Sequence, residues 1–166
     1  MNYLLRKATT LDLEFVLSLN QESLEAVSFS NLEQMYYFLE SSSYFKIMII
    51  ENKPVGFLIG LMPGLAYESE NYRWISKKYN SYVYVDRIII HRRYRSMGLG
   101  FDFYNDLVKS FQGRVDNILC EVNIKPYNAQ SLKFHKKYGF KTIGEKDTEN
   151  GTKRVSYMMY KISPQV

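Results

Sequence analysis

The stretch Arg95-Ser96-Met97-Gly98-Leu99-Gly100 divides two patterns of different period. Before it, Tyr82-Val83-Tyr84-Val85-Asp86-Arg87-Ile88-Ile89-Ile90 is a strongly apolar strand signal, interrupted by one acid and one base. After it, Tyr104, Leu107, Val108 and Phe111 recur at one-face helical spacing, and Gly113 closes the run. A basic, glycine-punctuated turn from strand to helix is a place to hold a phosphate. The start of a helix leaves backbone N–H groups unpaired, and the helix dipole favours an anion there. Glycine lets the backbone approach a ligand without a Cβ in the way. It is also disfavoured inside a helix by about 1 kcal/mol, so Gly98 and Gly100 fit a cradle better than a plain helical turn.

The bulk of the chain suits one domain spanning 1–166. A chain of 166 residues buries about 70% of its unfolded surface. Apolar residues make up 46% and charged residues 23%, which excludes general disorder. Fifteen tyrosines suggest a pocket or interface with apolar walls and polar tips. The net charge of +5 is compatible with an anionic ligand and too small to argue for nucleic acid. The sole cysteine, Cys120, rules out an internal disulfide and suits a reducing, cytoplasmic setting. No apolar run approaches the ~18 residues of a membrane span. Arg6 and Lys7 arrive too early for Met1–Ala8 to form a signal-peptide core.

Around the central turn the periodicities alternate. Tyr3–Ala8 reads as a first strand, and Thr10 caps a helix over Leu11–Asn20. Ser30-Asn31-Leu32-Glu33 has capping-box spacing and opens a second helix to Glu40. Tyr44–Glu51 and Pro54–Met62 form a hairpin about Asn52-Lys53. Residues 63–80 read as a long aromatic loop. Asn117–Asn123 reads as a strand and Asn128–Lys137 as a short helix ended by Gly139. Phe140–Glu145 and Arg154–Ile162 form a closing hairpin around Glu149-Asn150-Gly151.

This order resembles the GNAT acetyltransferase superfamily, and two motifs carry the resemblance. Arg95-x-x-Gly98-x-Gly100 matches its pyrophosphate turn. Asn128-Ala129-Gln130-Ser131-Leu132-Lys133-Phe134-His135-Lys136-Lys137-Tyr138-Gly139-Phe140 matches its second motif, with histidine at position 135 where the family has tyrosine. The segments Asn71-Tyr72-Arg73-Trp74, Asp86-Arg87-Ile88 and Cys120-Glu121-Val122-Asn123 also look like a less studied branch of predicted acetyltransferases, with no substrate implied. The resemblance covers essentially the whole chain. It implies an α/β fold, a central mixed sheet flanked by helices. It implies acetyl-CoA as donor and an amine, small or peptidic, as acceptor, joined by direct attack in a ternary complex. Amides from Met97 to Phe101 hold the pyrophosphate, with Arg95, Ser96, Gly98, Leu99 and Gly100 in the cradle and charge from Arg95. The resemblance also implies that Ile88, Ile89 and Ile90 offer backbone groups to the pantetheine arm, and that Asn128, Ser131 and His135 face the cofactor from the second motif's helix. Other phosphate motifs fail: no P-loop is present, and a dinucleotide fingerprint lacks its third glycine. No Cys/His cluster has zinc spacing, so no metal is expected.

The candidate catalytic groups are Glu121, Asp86 and His135. An ammonium cannot attack, so an amine acceptor needs a base. Asp86 and Glu121 are carboxylates on apolar strands, where burial raises a pKa toward base work. Each also reads as half of a structural ion pair, and the choice between them stays open. His135 reads equally as a general acid near its ordinary pKa of ~6.5 or as a structural hydrogen-bonding group. Tyr72, Trp74 and Asn123 are expected to touch the acceptor, while loop anchoring explains the aromatics as well. The alternative function is a non-catalytic acyl-CoA-binding module. Neither nucleic acid nor membrane is expected as a partner, and homodimer formation stays open.

Overall fold

The computed structural model describes residues 1–24 and 26–164. Among them a seven-stranded sheet runs in the order β1-β2-β3-β4-β5-β7-β6. The strands are β1 (Leu4–Lys7), β2 (Tyr44–Ile50), β3 (Lys53–Leu61), β4 (Tyr82–Ile90), β5 (Asn117–Lys125), β6 (Lys141–Thr148) and β7 (Lys153–Lys161). The helices are α1 (Leu13–Gln21), α2 (Leu32–Ser41), α3 (Glu70–Ser76), α4 (Leu99–Phe111) and α5 (Ala129–Tyr138). Antiparallel ladders join β1 to β2, β2 to β3, β5 to β7 and β6 to β7, while β4 and β5 are parallel, so the sheet is mixed. Among the described residues no helix is long and apolar enough to cross a membrane.

By its contacts the chain forms two compact units. The first holds Met1–Leu61 and Val85–Leu107; the second holds Met62–Tyr84 and Val108–Val166. In the first, α1 packs on α2 and β3, burying Val16, Met35, Phe38, Ile47 and Phe57 completely. Its first helical segment begins one residue earlier than the sequence predicts. Thr9, not Thr10, is the cap, and its N–H donates to Asp12 Oδ2 at 2.8 Å. Asp12 is in turn gripped by both terminal nitrogens of Arg6, at 2.7 and 2.8 Å. Asn31, not Ser30, caps α2 by accepting the Gln34 N–H. The first hairpin turns at Glu51-Asn52, both with positive φ, one residue before the expected turn.

In the second unit, Tyr82↔Asn117, Val83↔Ile118 and Tyr84↔Leu119 register β4 on β5, and α5 packs against β5. The expected loop over 63–80 contains α3. Ser69 caps it through the Tyr72 N–H at 3.2 Å, and Tyr72 and Ile75 face inward at helical spacing. The aromatic richness of that segment masked a cap signal that was present.

One glycine sets the approach of two strands in the first unit. A Cβ on Gly56 would lie 2.7 Å from the Ile89 carbonyl oxygen and 2.8 Å from Ile90 Cδ1. The nearer obstacle is backbone and cannot rotate away. Gly56→Ala should therefore lower the unfolding free energy by about 2 kcal/mol. Urea unfolding monitored by tryptophan fluorescence checks this, and an unchanged midpoint with an unchanged slope would refute it.

Candidate active site

The glycine turn lies in the first unit. His91, closing β4, donates its N–H to the Val55 carbonyl at 2.8 Å, and a short helical turn follows at Arg92–Tyr94. Arg95 bends back so that its Nε donates to the Ile90 carbonyl at 2.9 Å. The backbone oxygen of Ile90, expected to meet a pantetheine arm, thus has a partner within the chain. Ser96 and Gly98 take left-handed φ values of 62° and 81°. The first helical bond of α4 runs from the Asp102 N–H to the Gly98 carbonyl at 3.1 Å. The amides of Leu99 and Gly100 therefore enter the helix with no acceptor one turn back. A Cβ placed on Gly98 would meet nothing within 4 Å, so the concave side of this turn has room for a ligand atom. Ser96 and Met97 are exposed beside it, while the Leu99 side chain is buried and anchors the helix start.

Two further contacts fix α4. Asp106 accepts from Tyr44 Oη at 2.7 Å and from Lys46 Nζ at 2.6 Å, both on β2. Burial, then the Asp106 carboxylate, pushes the Tyr44 phenol far above its ordinary pKa, so it stays a donor. Burial and then the charge of Asp102, the acid in the first turn, raise the pKa of the Tyr3 phenol.

Asp86 also belongs to the first unit. Its Oδ2 lies 2.7 Å from Arg87 Nε, and both side chains are 4% exposed. Arg87 Nη1 donates to Asn20 Oδ1 at 2.7 Å and to the Ser28 carbonyl at 3.3 Å. Its guanidinium lies 5.3 Å from the centre of the Phe38 ring. The structure thus supplies the ion pair that the sequence offered as one reading of Asp86.

In the second unit Glu121 lies on β5 beside two tyrosines of neighbouring strands. Tyr84 Oη donates to both carboxylate oxygens, at 2.7 and 2.9 Å. Glu121 and Tyr157 are cross-strand partners. The Tyr157 phenol is pushed well up by burial and then by the Glu121 and Glu70 charges, and it donates to Asn71 Oδ1 at 2.8 Å. Trp74 stacks flat on Tyr157, centres 3.9 Å apart at 8°, and the Lys78 ammonium sits 4.1 Å from the Trp74 ring centre. Tyr72 meets Tyr84 edge-on at 5.6 Å. Its hydroxyl donates to the Met62 carbonyl and accepts from the Leu65 N–H. Tyr72 is thus buried with its hydroxyl used within the chain, and Trp74 packs on Tyr157, the cross-strand neighbour of Glu121. Asn123 lies two residues further along β5, and its carbonyl accepts the Asn128 N–H at 3.0 Å. The sequence missed Tyr84 and Tyr157 as partners of Glu121. Each reads alone as an apolar strand residue, and only the register of β4 on β5 and of β5 on β7 brings them to the carboxylate.

The second motif forms α5. Asn128 caps it by accepting the Ser131 N–H at 3.1 Å. His135 is buried, with Phe134 and Phe140 edge-on at 4.9 and 5.1 Å. Its Nδ1 lies 2.8 Å from the Ser131 carbonyl, which can only accept, so Nδ1 carries the proton. Burial lowers its pKa to about 4, against the smaller opposing effect of that hydrogen bond. The ring is neutral at pH 7, and the imidazolium considered from sequence is disfavoured there. Among the described residues no group of His, Cys, Asp and Glu is arranged to hold a metal ion.

The sequence profile of the Acetyltransferase (GNAT) family matches residues 7–140. A search of curated proteins gave no significant match. Several solved structures share the fold. Ard1 from Thermoplasma volcanium superposes with a TM-score of 0.79 at 17% identity, covering 98% of this chain and 99% of that one. NAA60 of Arabidopsis thaliana in complex with acetyl-CoA gives 0.76 at 17%, covering 97% and 100%. The ribosomal-protein-S18-alanine N-acetyltransferase of Escherichia coli gives 0.75 at 15%, covering 99% and 97%.

The His135 environment predicts a pH signature. Its folded pKa lies below the ordinary 6.5, so the unfolded chain takes up the proton first as pH falls. The stability is complete above about pH 6.5 and declines toward pH 4, by about 3 kcal/mol at most. His135→Phe should flatten that part of the profile. Urea unfolding of both proteins between pH 7.5 and 4.5 measures it, and identical slopes would exclude a buried neutral ring.

Proposed function

The chain belongs to the acetyltransferase (GNAT) family, and we propose that it moves the acetyl group of acetyl-CoA to an amine by direct attack in a ternary complex. The observation carrying this reading is the turn before α4. It combines left-handed backbone at Ser96 and Gly98, open space over Gly98, and helix-start amides at Leu99 and Gly100. That combination fits a pyrophosphate. The donor supplies an activated thioester, and this chain supplies binding, orientation and a proton acceptor. Arg95 adds charge at the turn while its Nε stays on Ile90. Holding donor and acceptor together removes much of the entropic barrier.

Glu121 is the proposed base. It accepts from Tyr84 and sits against aromatic walls, an arrangement that favours a cationic amine and can take a proton from it. His135 is a positioning residue that ties the first turn of α5 to its last. A primary amine of a small molecule or a peptide terminus suits such a site, and the S18-alanine acetyltransferase among the structural neighbours supports the peptide arm. One observation favours the second reading, a non-catalytic acyl-CoA-binding module: the motif's usual tyrosine position holds a neutral, buried histidine.

Calorimetry with acetyl-CoA, followed by release of CoA thiol across a panel of small amines and amino-terminal peptides, tests both. Binding with turnover of at least one amine is expected. Glu121→Gln should cut kcat by about 10²- to 10⁴-fold with acetyl-CoA affinity unchanged. Absence of acetyl-CoA binding would overturn the assignment, and binding without turnover for every amine would favour the module.

A further inference from the structure

We propose that the outward face of α2, with Phe29 at its entry, docks a basic, amphipathic helical segment of another protein. The helix is two-sided. Met35 and Phe38 point inward and are fully buried. At 3.6 residues per turn, Leu32, Glu33, Tyr36 and Glu40 fall on the opposite side, and all four are exposed. Leu32 and Tyr36, neighbours one turn apart, are 47% and 44% exposed. Among the described residues they are the only large apolar side chains exposed on any of the five α-helices. The other helices turn such groups inward, so this face asks for a cover.

The presentation is fixed by polar bonds on both sides of Phe29. The Ser28 carbonyl accepts from Asn20 Nδ2 at 3.0 Å and from Arg87 Nη1 at 3.3 Å. Ser30 is buried, its carbonyl accepts from Gln21 Nε2 at 2.9 Å, and its hydroxyl donates to Gln34 Oε1 at 2.6 Å. Phe29, held between these two anchors, keeps its ring 67% exposed. A partner docking here has little backbone to order, which lowers the entropic cost of binding.

Charge selects the partner. Between Lys7 and Lys46 the chain has six acids and no Lys, Arg or His, although it carries 22 Lys and Arg in all. Two of the six, Glu33 and Glu40, flank Leu32 and Tyr36 on the outward face. The Arg87 guanidinium meets α2 from its buried side, over Phe38, and is paired with Asp86. Anionic membranes and nucleic acids are repelled by a face flanked by carboxylates. A second copy meets half of the demand. The chain's basic helix, α5, turns Lys133, Lys136 and Lys137 outward but presents no exposed large apolar side chain. A helix with apolar groups at i, i+3, i+4 and i+7 and cations beside them meets both halves. The apolar groups cover Leu32, Tyr36 and Phe29, and the cations reach Glu33 and Glu40 at the rim, where they set salt dependence and partner choice.

The probe is an amino-acetylated, amidated peptide of about 14 residues, with leucine along one helical face and arginine beside it. It has no primary amine, so its binding is independent of acetyl transfer. Calorimetry with the full chain should show saturable binding with a dissociation constant on the order of micromolar, weakened as salt rises. A scrambled peptide of the same composition should bind about 10-fold more weakly or worse. Leu32→Ala/Tyr36→Ala should lose about 10-fold or more. Glu33→Lys/Glu40→Lys should lose the arginine probe and gain a probe with glutamate in its place, a gain that a misfolded variant would not show. Circular dichroism verifies the fold of each variant. Absence of saturable binding, equal binding of the scrambled peptide, or affinity unchanged in both variants overturns the proposal. Self-association of the native chain in sedimentation, abolished by Leu32→Ala/Tyr36→Ala, would give the face to a second copy and overturn it as well.

Discussion

The buried guanidinium of Arg87 constrains the first unit through its demand for partners. A charge that is 4% exposed costs several kcal/mol unless it is paired and its donors are satisfied. The chain meets that demand with Asp86 beside it, Asn20 at the end of α1, the carbonyl of Ser28 and the face of Phe38 on α2. The connection between α1 and α2 must therefore come to β4. The Asn20 amide reinforces this by donating to the same Ser28 carbonyl and to Gln21, and Gln21 donates to the Ser30 carbonyl. One cation thus determines where a helix ends, how the connection runs and where the next helix begins. The strand that bears it leads within eight residues to Arg95, the first residue of the glycine turn.

The same logic places the elements that serve the turn. An anion site at a helix start is useful only if the helix cannot shift. Asp106, held from β2 by Tyr44 and Lys46, pins α4 to the sheet two turns after the cradle. Gly56 lets β3 approach the carbonyl of Ile89. Leu99 sinks its side chain while Ser96, Met97 and Gly98 face outward. Rigidity is supplied by side chains that touch no ligand, and the exposed turn is left to the backbone.

Regular periodicity was legible in the sequence, and register was not. The strand over Tyr82–Ile90, both hairpins and the helices after the two motifs follow from spacing and caps, with boundaries shifting by a residue where two capping residues adjoin, as at Thr9-Thr10 and Ser30-Asn31. The helix over Glu70–Ser76 was hidden because its inward positions, Tyr72 and Ile75, sit among other aromatics that read as a loop. The turn stood out in the sequence because glycine and arginine at that spacing between a strand and a helix have few uses. The surroundings of Glu121 were not legible, since Tyr84 and Tyr157 come to it from two other strands and Trp74 stacks on Tyr157 from a helix. Nor does one sequence reveal burial, which is what turns His135 from a titrating group into a neutral one.

Register also separates the two carboxylates that the sequence left level. A general base must accept a proton in the reaction and give it up afterwards. If Asp86 were protonated, its partner would remain a permanent cation in a buried site. Breaking a buried pair in this way costs about 3–5 kcal/mol. That penalty would add to the barrier at each turnover. Glu121 accepts its hydrogen bonds from a phenol, and protonation there weakens a charge-assisted bond without stranding an ion, a loss of about 1–2 kcal/mol. Burial first, and then the Glu121 and Glu70 charges, raise the Tyr157 pKa, and a cationic amine beside those carboxylates would feel the opposite sign. By this comparison Asp86 suits a fixed counter-ion, and Glu121 suits the proton-accepting role proposed for it. The distinction comes from the identity of the hydrogen-bond donor, not from the depth of burial.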